Sequence, residues 1–250
     1  MTTTAPAPNA SVRILAAPTA PSRGRGGVVR LATASVLAGL AITASAGTAA
    51  AAPATPVPTF TGSGSGLSGS SLQDMLLTAR EGGRTLGVTL DEIATGAKLD
   101  ATRVSPVACA GAYTPGAVSE YATADVQDIA VKVLSDQQTT SVTEVVVQLP
   151  TKKDALDNMA ATADRWSTCQ GRTVTSSGKS WDLGSPVVND ARTMVTLSQT
   201  STGSGRGTCE RAIAVYRNVV VDVMTCSASA RGEGAAIAQA IADKANSQPV

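Results

Sequence analysis

The chain has 250 residues, with 20 Lys and Arg against 19 Asp and Glu, six aromatic residues, four Cys and no His. That balance offers no basic face to nucleic acid or to an anionic membrane, and so few rings leave little for stacking bases. The missing imidazole removes Ser-His and Cys-His nucleophile pairs and the commonest zinc ligand, so no catalytic residue, metal site or cofactor is expected.

Residues 1–52 read as an export signal. Arg23, Arg25 and Arg30 precede an apolar run over 31–46, and cleavage after Ala46 or Ala51 suits the small-residue rule. The run is rich in Ala, Gly, Ser and Thr, and no Cys follows it for a lipid, so no stable membrane anchor is expected. Removing the segment takes away four Arg and no acid, leaving 16 bases against 19 acids. The mature chain is therefore expected outside the cell or in the cell envelope. Cys109, Cys169, Cys209 and Cys226 then make two disulfides, for which three pairings exist. Residues 53–71, rich in Pro, Gly and Ser, read as a flexible linker.

One domain is expected over 72–247. Leu72, Met75, Leu76 and Ala79 recur at helix spacing, and Gly82-Gly83 should end that helix. A further short helix is expected over 90–97. Cys109 opens a turn-like stretch through Tyr113 and Pro115. Ile129, Val131 and Val133 then alternate as a strand, and 142–149 reads as a second, more fully buried strand paired antiparallel to it. Thr151 and Asp154 have capping-box spacing at the start of a helix over about 152–167. Leu156, Met159, Ala160, Ala163 and Trp166 share one face of it, so Trp166 reads as core. Cys169 follows, placed to tie that end to Cys109. Short strands are expected over 172–175, 180–183, 187–188 and 194–199. A final helix carries Ala235, Ala238, Ile241, Ala242 and Ala245 on one face.

The rest is organised around residues 209–226. Two Cys frame a β-branched segment interrupted at Arg217-Asn218, a hairpin turn in which opposed residues sum to 435. That register sets Cys209 against Cys226 and Ile213 against Asp222, within disulfide range at the first pair. Asp222 interrupts a valine run and shares a face with Arg211 as a diagonal neighbour, which reads as an ion pair. Trp181, between Ser180 and Asp182, can pack in a core or line a cleft. Two motif matches carry no chemistry. Gly178-Lys179-Ser180 lacks the first glycine of a phosphate loop, since Thr173 stands there, and Ser176-Ser177-Gly178-Lys179 has Ser-x-x-Lys spacing without its partner motifs. The whole indicates an α+β fold, a mainly antiparallel sheet of about seven strands with two main helices packed to one side.

Several motifs in order carry a family resemblance: Cys109-Ala110-Gly111-Ala112-Tyr113-x-Pro115, Trp166-x-x-Cys169-x-Gly171-Arg172-Thr173-Val174-Thr175, Trp181-x-x-Gly184, Cys209-x-Arg211-Ala212, Asn218-Val219-Val220-Val221-Asp222-Val223 and Ile237-Ala238-x-x-Ile241-Ala242-x-Lys244. They resemble the extracellular sensor domain of mycobacterial PknH-type serine/threonine kinases. The resemblance implies an α+β fold with two disulfides and a cleft for a ligand; it brings no catalytic residues. A small molecule or envelope component is the expected partner, with Tyr113, Trp181, Arg211 and Asp222 as candidate binding residues. The alternative is a structural or protein-interaction module of the envelope, and a hydrolase working through paired carboxylates is a third reading.

Overall fold

A computed structural model of the chain describes residues 69–203 and 207–247. The expected export signal and the linker up to residue 68 lie outside the described residues. The first helix, α1 (Gly69–Met75), begins three residues before the domain start expected at Leu72.

The hairpin at 209–226 lies in the middle of the sheet. Strands β8 (Thr208–Tyr216) and β9 (Val219–Ser227) pair with Cys209 opposite Cys226, Ile213 opposite Asp222 and Val215 opposite Val220. The turn takes Arg217 at φ 51°, and its neighbour Asn218 exchanges two hydrogen bonds with the backbone of Leu149. Outward from β9 run β3 (Ser141–Gln148), β2 (Asp128–Ser135) and β1 (Asp91–Gly96). Outward from β8 run β7 (Met194–Ser201), β5 (Lys179–Leu183) and β4 (Thr173–Ser176), with β6 (Val187–Val188) paired to β7. All named strand pairs are antiparallel.

Helices cover both faces of this sheet, not one side as the alternating strands suggested. The reason is legible in the strands themselves. Val145-Val146-Val147 and Val219-Val220-Val221 do not alternate with polar residues, and a strand buried on both faces has no polar side. Val145, Val147, Ile213 and Val220 pack against α4 (Lys152–Cys169) through Met159 and Trp166. Val146, Ala212, Val221 and Val223 pack on the opposite face against α1 and α5 (Glu233–Ser247) through Leu72, Met75, Ile237 and Ile241.

Two further expectations are corrected, and the strand total is nine among the described residues where about seven were expected. Residues 90–97 are not helical. They hold β1, an edge strand with all six residues exposed, whose conformation comes from pairing with β2 and not from its own apolar pattern. Gly82-Gly83 does not end a helix but lies inside α2 (Ala79–Leu86), which starts at a Thr78–Glu81 capping box and ends at Gly87, φ 71°. The pair is there for contact. A Cβ on Gly82 would sit 2.9 Å from Leu134 Cδ1 and one on Gly83 2.5 Å from the Val88 carbonyl oxygen.

Helix α4 starts as expected: the Asp154 N–H donates to Thr151 Oγ1 at 3.2 Å and the Thr151 N–H to Asp154 Oδ2 at 3.0 Å. Its buried stripe is rotated, however, to Ala155, Asn158, Met159, Thr162, Trp166 and Cys169, leaving Ala160 exposed. Two polar side chains in that stripe have partners that no periodicity reveals. Disulfides join Cys109 to Cys169 and Cys209 to Cys226, with Cα atoms 5.7 and 4.0 Å apart.

Candidate functional site

Between α4 and the sheet lies a buried ionic network. Arg211 and Asp222 are both 0% exposed and pair through Nη2 and Oδ1 at 2.5 Å. The other carboxylate oxygen accepts from the Gly116 N–H at 2.8 Å and the Tyr121 hydroxyl at 3.1 Å. Burial pushes the Asp222 carboxyl up to about 6, against the opposing pull of Arg211 and these donors. Burial and the adjoining carboxylate likewise drive the Tyr121 phenol well above its usual value. The Arg211 guanidinium lies 5.1 Å over the Trp166 ring.

The same indole donates to Glu120 Oε1 at 3.3 Å, while Glu120 Oε2 accepts from Thr162 at 2.7 Å and from Arg165 at 2.6 Å. Asn158 donates to the Glu120 carbonyl at 3.1 Å. These bonds explain why Asn158 and Thr162 lie on the buried side of α4. Gly111 makes room for the carboxylate, since a Cβ there would fall 1.5 Å from Glu120 Oε1. Two acids and two bases thus tie hairpin, helix and the 111–121 segment into one neutral unit.

The four candidate binding residues divide. Arg211 and Asp222 are sealed in the core, whereas Tyr113 and Trp181 line a cavity of about 340 Å³ at the end of the α4 face. Its floor is the row Gln199, Cys209 and Cys226, neighbours across β7, β8 and β9, with Met224 beside them. Tyr113 closes the short helix α3 (Ala110–Tyr113). Gln199 Nε2 holds that end through the Ala112 and Tyr113 carbonyls, at 2.8 and 2.9 Å, and the Cys109–Cys169 disulfide holds its start.

Trp181 stands in β5 opposite Val174 and Ser201, and its indole N–H is shielded without a protein partner. Beyond it lies a second lobe of about 660 Å³, bordered by Thr139, Lys179, Thr202, Thr208 and Ser227. The turn carrying both motif matches, with Ser177 at φ 49° and Gly178 at φ 76°, borders both lobes.

Glu120 and Glu144 escaped sequence reading. Glu144 is fully buried on the α5 face, where its Oε2 accepts from the Leu77 N–H at 2.9 Å and its Oε1 has no partner. Burial pushes its carboxyl up to about 8. The signal that exposed Asp222, an acid inside a valine strand, was present at Glu144 as well. Glu120 gave none, because it belongs to a single 3-10 turn whose partners come from α4, some 40 residues away in sequence. Among the described residues no cluster of three His, Cys, Asp or Glu side chains is disposed to hold a metal ion, and no helix is long and apolar enough to cross a membrane.

An antiparallel sheet between two helical layers, stapled by two disulfides and open at one end in a cleft, defines a disulfide-stapled α+β domain of extracellular type. The sequence model for the PknH-like extracellular domain matches residues 67–244, and the chain belongs to that family. Serine/threonine-protein kinase PknH of Mycobacterium bovis is 33% identical over 111 residues, covering 43% of this chain and 18% of the kinase. The Mycobacterium tuberculosis kinase of the same name is 33% identical over 111 residues, 43% of this chain and 17% of that protein. The chain therefore spans less than a fifth of the length of these curated relatives. The crystal structure of the extracellular domain of PknH from M. tuberculosis superposes with a TM-score of 0.67 at 26% identity, covering 73% of this chain and 98% of that one.

Proposed function

We propose that this chain is a secreted, non-catalytic sensor-type domain that takes a small molecule or cell-envelope component into the cleft between Tyr113 and Trp181. The observation that carries this reading is the cleft's construction. A disulfide hairpin floors it, and a second disulfide fixes the helix that bears Tyr113, so the concavity exists before any ligand arrives. Two rings and several hydroxyls around one opening suit a bound molecule better than a solvated surface. Membership in an extracellular-domain family supports the location, and an export signal at 1–52 would deliver the chain there. The solved relative is likewise the extracellular part of its kinase, which supports a role without chemistry.

The test is thermal unfolding of the secreted chain in the presence of fractionated envelope extract. A ligand at 100 times its Kd adds about 2.7 kcal/mol, which in a domain of this size raises Tm by roughly 5–10 °C. Trp181→Ala should abolish the rise. No rise with any fraction, or an equal rise in the variant, overturns the reading.

One observation favours the alternative, a structural or protein-interaction module of the envelope. Strand β1 is an open sheet edge with Ile93 53% exposed, beside a shallow groove lined by Ala94, Val131 and Val133. An envelope protein retained by the native chain, but not by Ile93→Lys, would identify that edge as the working surface.

A further inference from the structure

Resting on the cleft reading, the chemistry of the lining narrows the ligand. Lys179 borders both lobes and is exposed, and its ammonium has no ion pair or hydrogen bond among the described residues. Among the described residues it is the only lysine or arginine in the lining, which there includes no Asp or Glu. Of the carboxylates bonded to lining residues, Asp100 accepts from the Thr102 N–H and the Thr114 hydroxyl, and Glu233 accepts from Ser227 through Oε1 while its Oε2 is buried away from the cleft surface. A cationic ligand would meet no counter-charge here, whereas one negative group would meet a free ammonium.

The rest of the wall excludes other classes. The larger lobe is lined in good part by hydroxyls and amides, among them Gln138, Thr139, Ser180 and Thr202, which a lipid tail would bury without partners, while the smaller lobe around Tyr113 and Trp181 is mainly apolar. The hydroxyls of Thr102 and Ser177 can both donate and accept, which matches a ligand that also does both. The hydroxyls of Thr114, Ser176 and Thr202 donate inward to protein oxygens, which leaves them as acceptors toward the cleft. The rings of Trp181 and Tyr113 supply flat apolar area for a molecule with one C–H-rich face. Trp181 lines both lobes, so a ligand filling both needs at least two units astride the indole.

We infer that the cleft binds a short anionic saccharide, its rings lying across Trp181 and its carboxylate or phosphate meeting Lys179. The test is a fluorescence titration of the secreted chain, in which Trp166 is buried in the core and Trp181 is the responsive indole. The probes are a uronate-containing disaccharide, a hexose phosphate, a neutral disaccharide and inorganic phosphate. At least one anionic sugar should saturate at least about tenfold tighter than the neutral one, and added salt should narrow that gap.

Lys179→Gln, at the exposed start of β5, should erase the gap by weakening the anionic sugar; Lys179→Arg should keep it. Preference for the uronate or for the hexose phosphate tells which anionic group is read. Equal affinity for the neutral and anionic sugars, an equal response to inorganic phosphate alone, or an unaltered Lys179→Gln overturns the inference. Should no sugar bind while envelope extract still stabilises the native chain and not Trp181→Ala, the saccharide is wrong and the cleft stands. Equal stabilisation of both proteins removes the cleft and the saccharide together.

Discussion

Asp222→Ala and Arg211→Met remove opposite halves of one buried pair, and their costs should differ in size and in pH dependence. Deleting Asp222 leaves a guanidinium that cannot lose its proton, sealed from water, with Nε and Nη1 already lacking protein partners. An uncompensated buried charge costs about 3–5 kcal/mol, and the Gly116 N–H and Tyr121 hydroxyl lose their acceptor as well. That is a large part of the roughly 5–15 kcal/mol by which a domain is stable, so Asp222→Ala should be barely folded at any pH.

Deleting Arg211 is milder, because the carboxyl can take up a proton. In the native protein Asp222 titrates near 6, raised from 3.8 by burial. A raised acid binds its proton more tightly when folded, so its stabilising contribution is complete below 3.8 and is lost as pH rises toward 6, then levels off. Without Arg211 the carboxyl stays protonated to higher pH and the loss continues. Native and Arg211→Met stability curves should therefore run parallel up to pH 6 and then diverge by about 1.4 kcal/mol per pH unit. Urea unfolding with disulfides intact, at half-unit steps from pH 5 to 8, reads this directly. The double variant Arg211→Met/Asp222→Ala should be more stable than Asp222→Ala alone. Equal costs for the two single variants, or curves still parallel at pH 8, would falsify the account of an ion pair whose acid half can be neutralised.

Glu144→Gln keeps an acceptor for the Leu77 N–H and removes a group that titrates near 8 instead of 4.5. The native carboxyl's contribution is whole below 4.5 and is lost progressively up to 8, so the variant should flatten the decline in stability between those values. Thermal unfolding across that range checks it, and an unchanged slope would show that Glu144 is not the titrating group. Gly111→Ala must displace the Glu120 carboxylate from Trp166 and Thr162, at a cost of about 3 kcal/mol from overpacking and lost charged hydrogen bonds. Adding Glu120→Ala should recover part of that loss in urea midpoint; no recovery would mean that the glycine serves some other contact.

How much was legible depended on the range of the interaction. The 209–226 hairpin and its register could be read because every partner lies within 17 residues, with the turn and both Cys in view. The Thr151–Asp154 cap was local in the same way. Strand β1 could not be read, since its six exposed residues take their conformation from β2. The candidate site was half visible. Tyr113 and Trp181 come together only because β5 lies next to β7 and Gln199 of β7 holds the end of α3 through bonds that span 87 and 86 residues.

Composition, local periodicity and cysteine placement determined the class of chain, the central hairpin, the α4 cap and the nature of the Asp222 pairing, since each rests on charge or on near neighbours. Tertiary structure alone decided which helices cover the two faces of the sheet, that Glu120 is an interior acid, and that Lys179 and Trp181 border an opening. Those outcomes turn on which surfaces meet when distant segments stack, and short-range pattern carries no record of that.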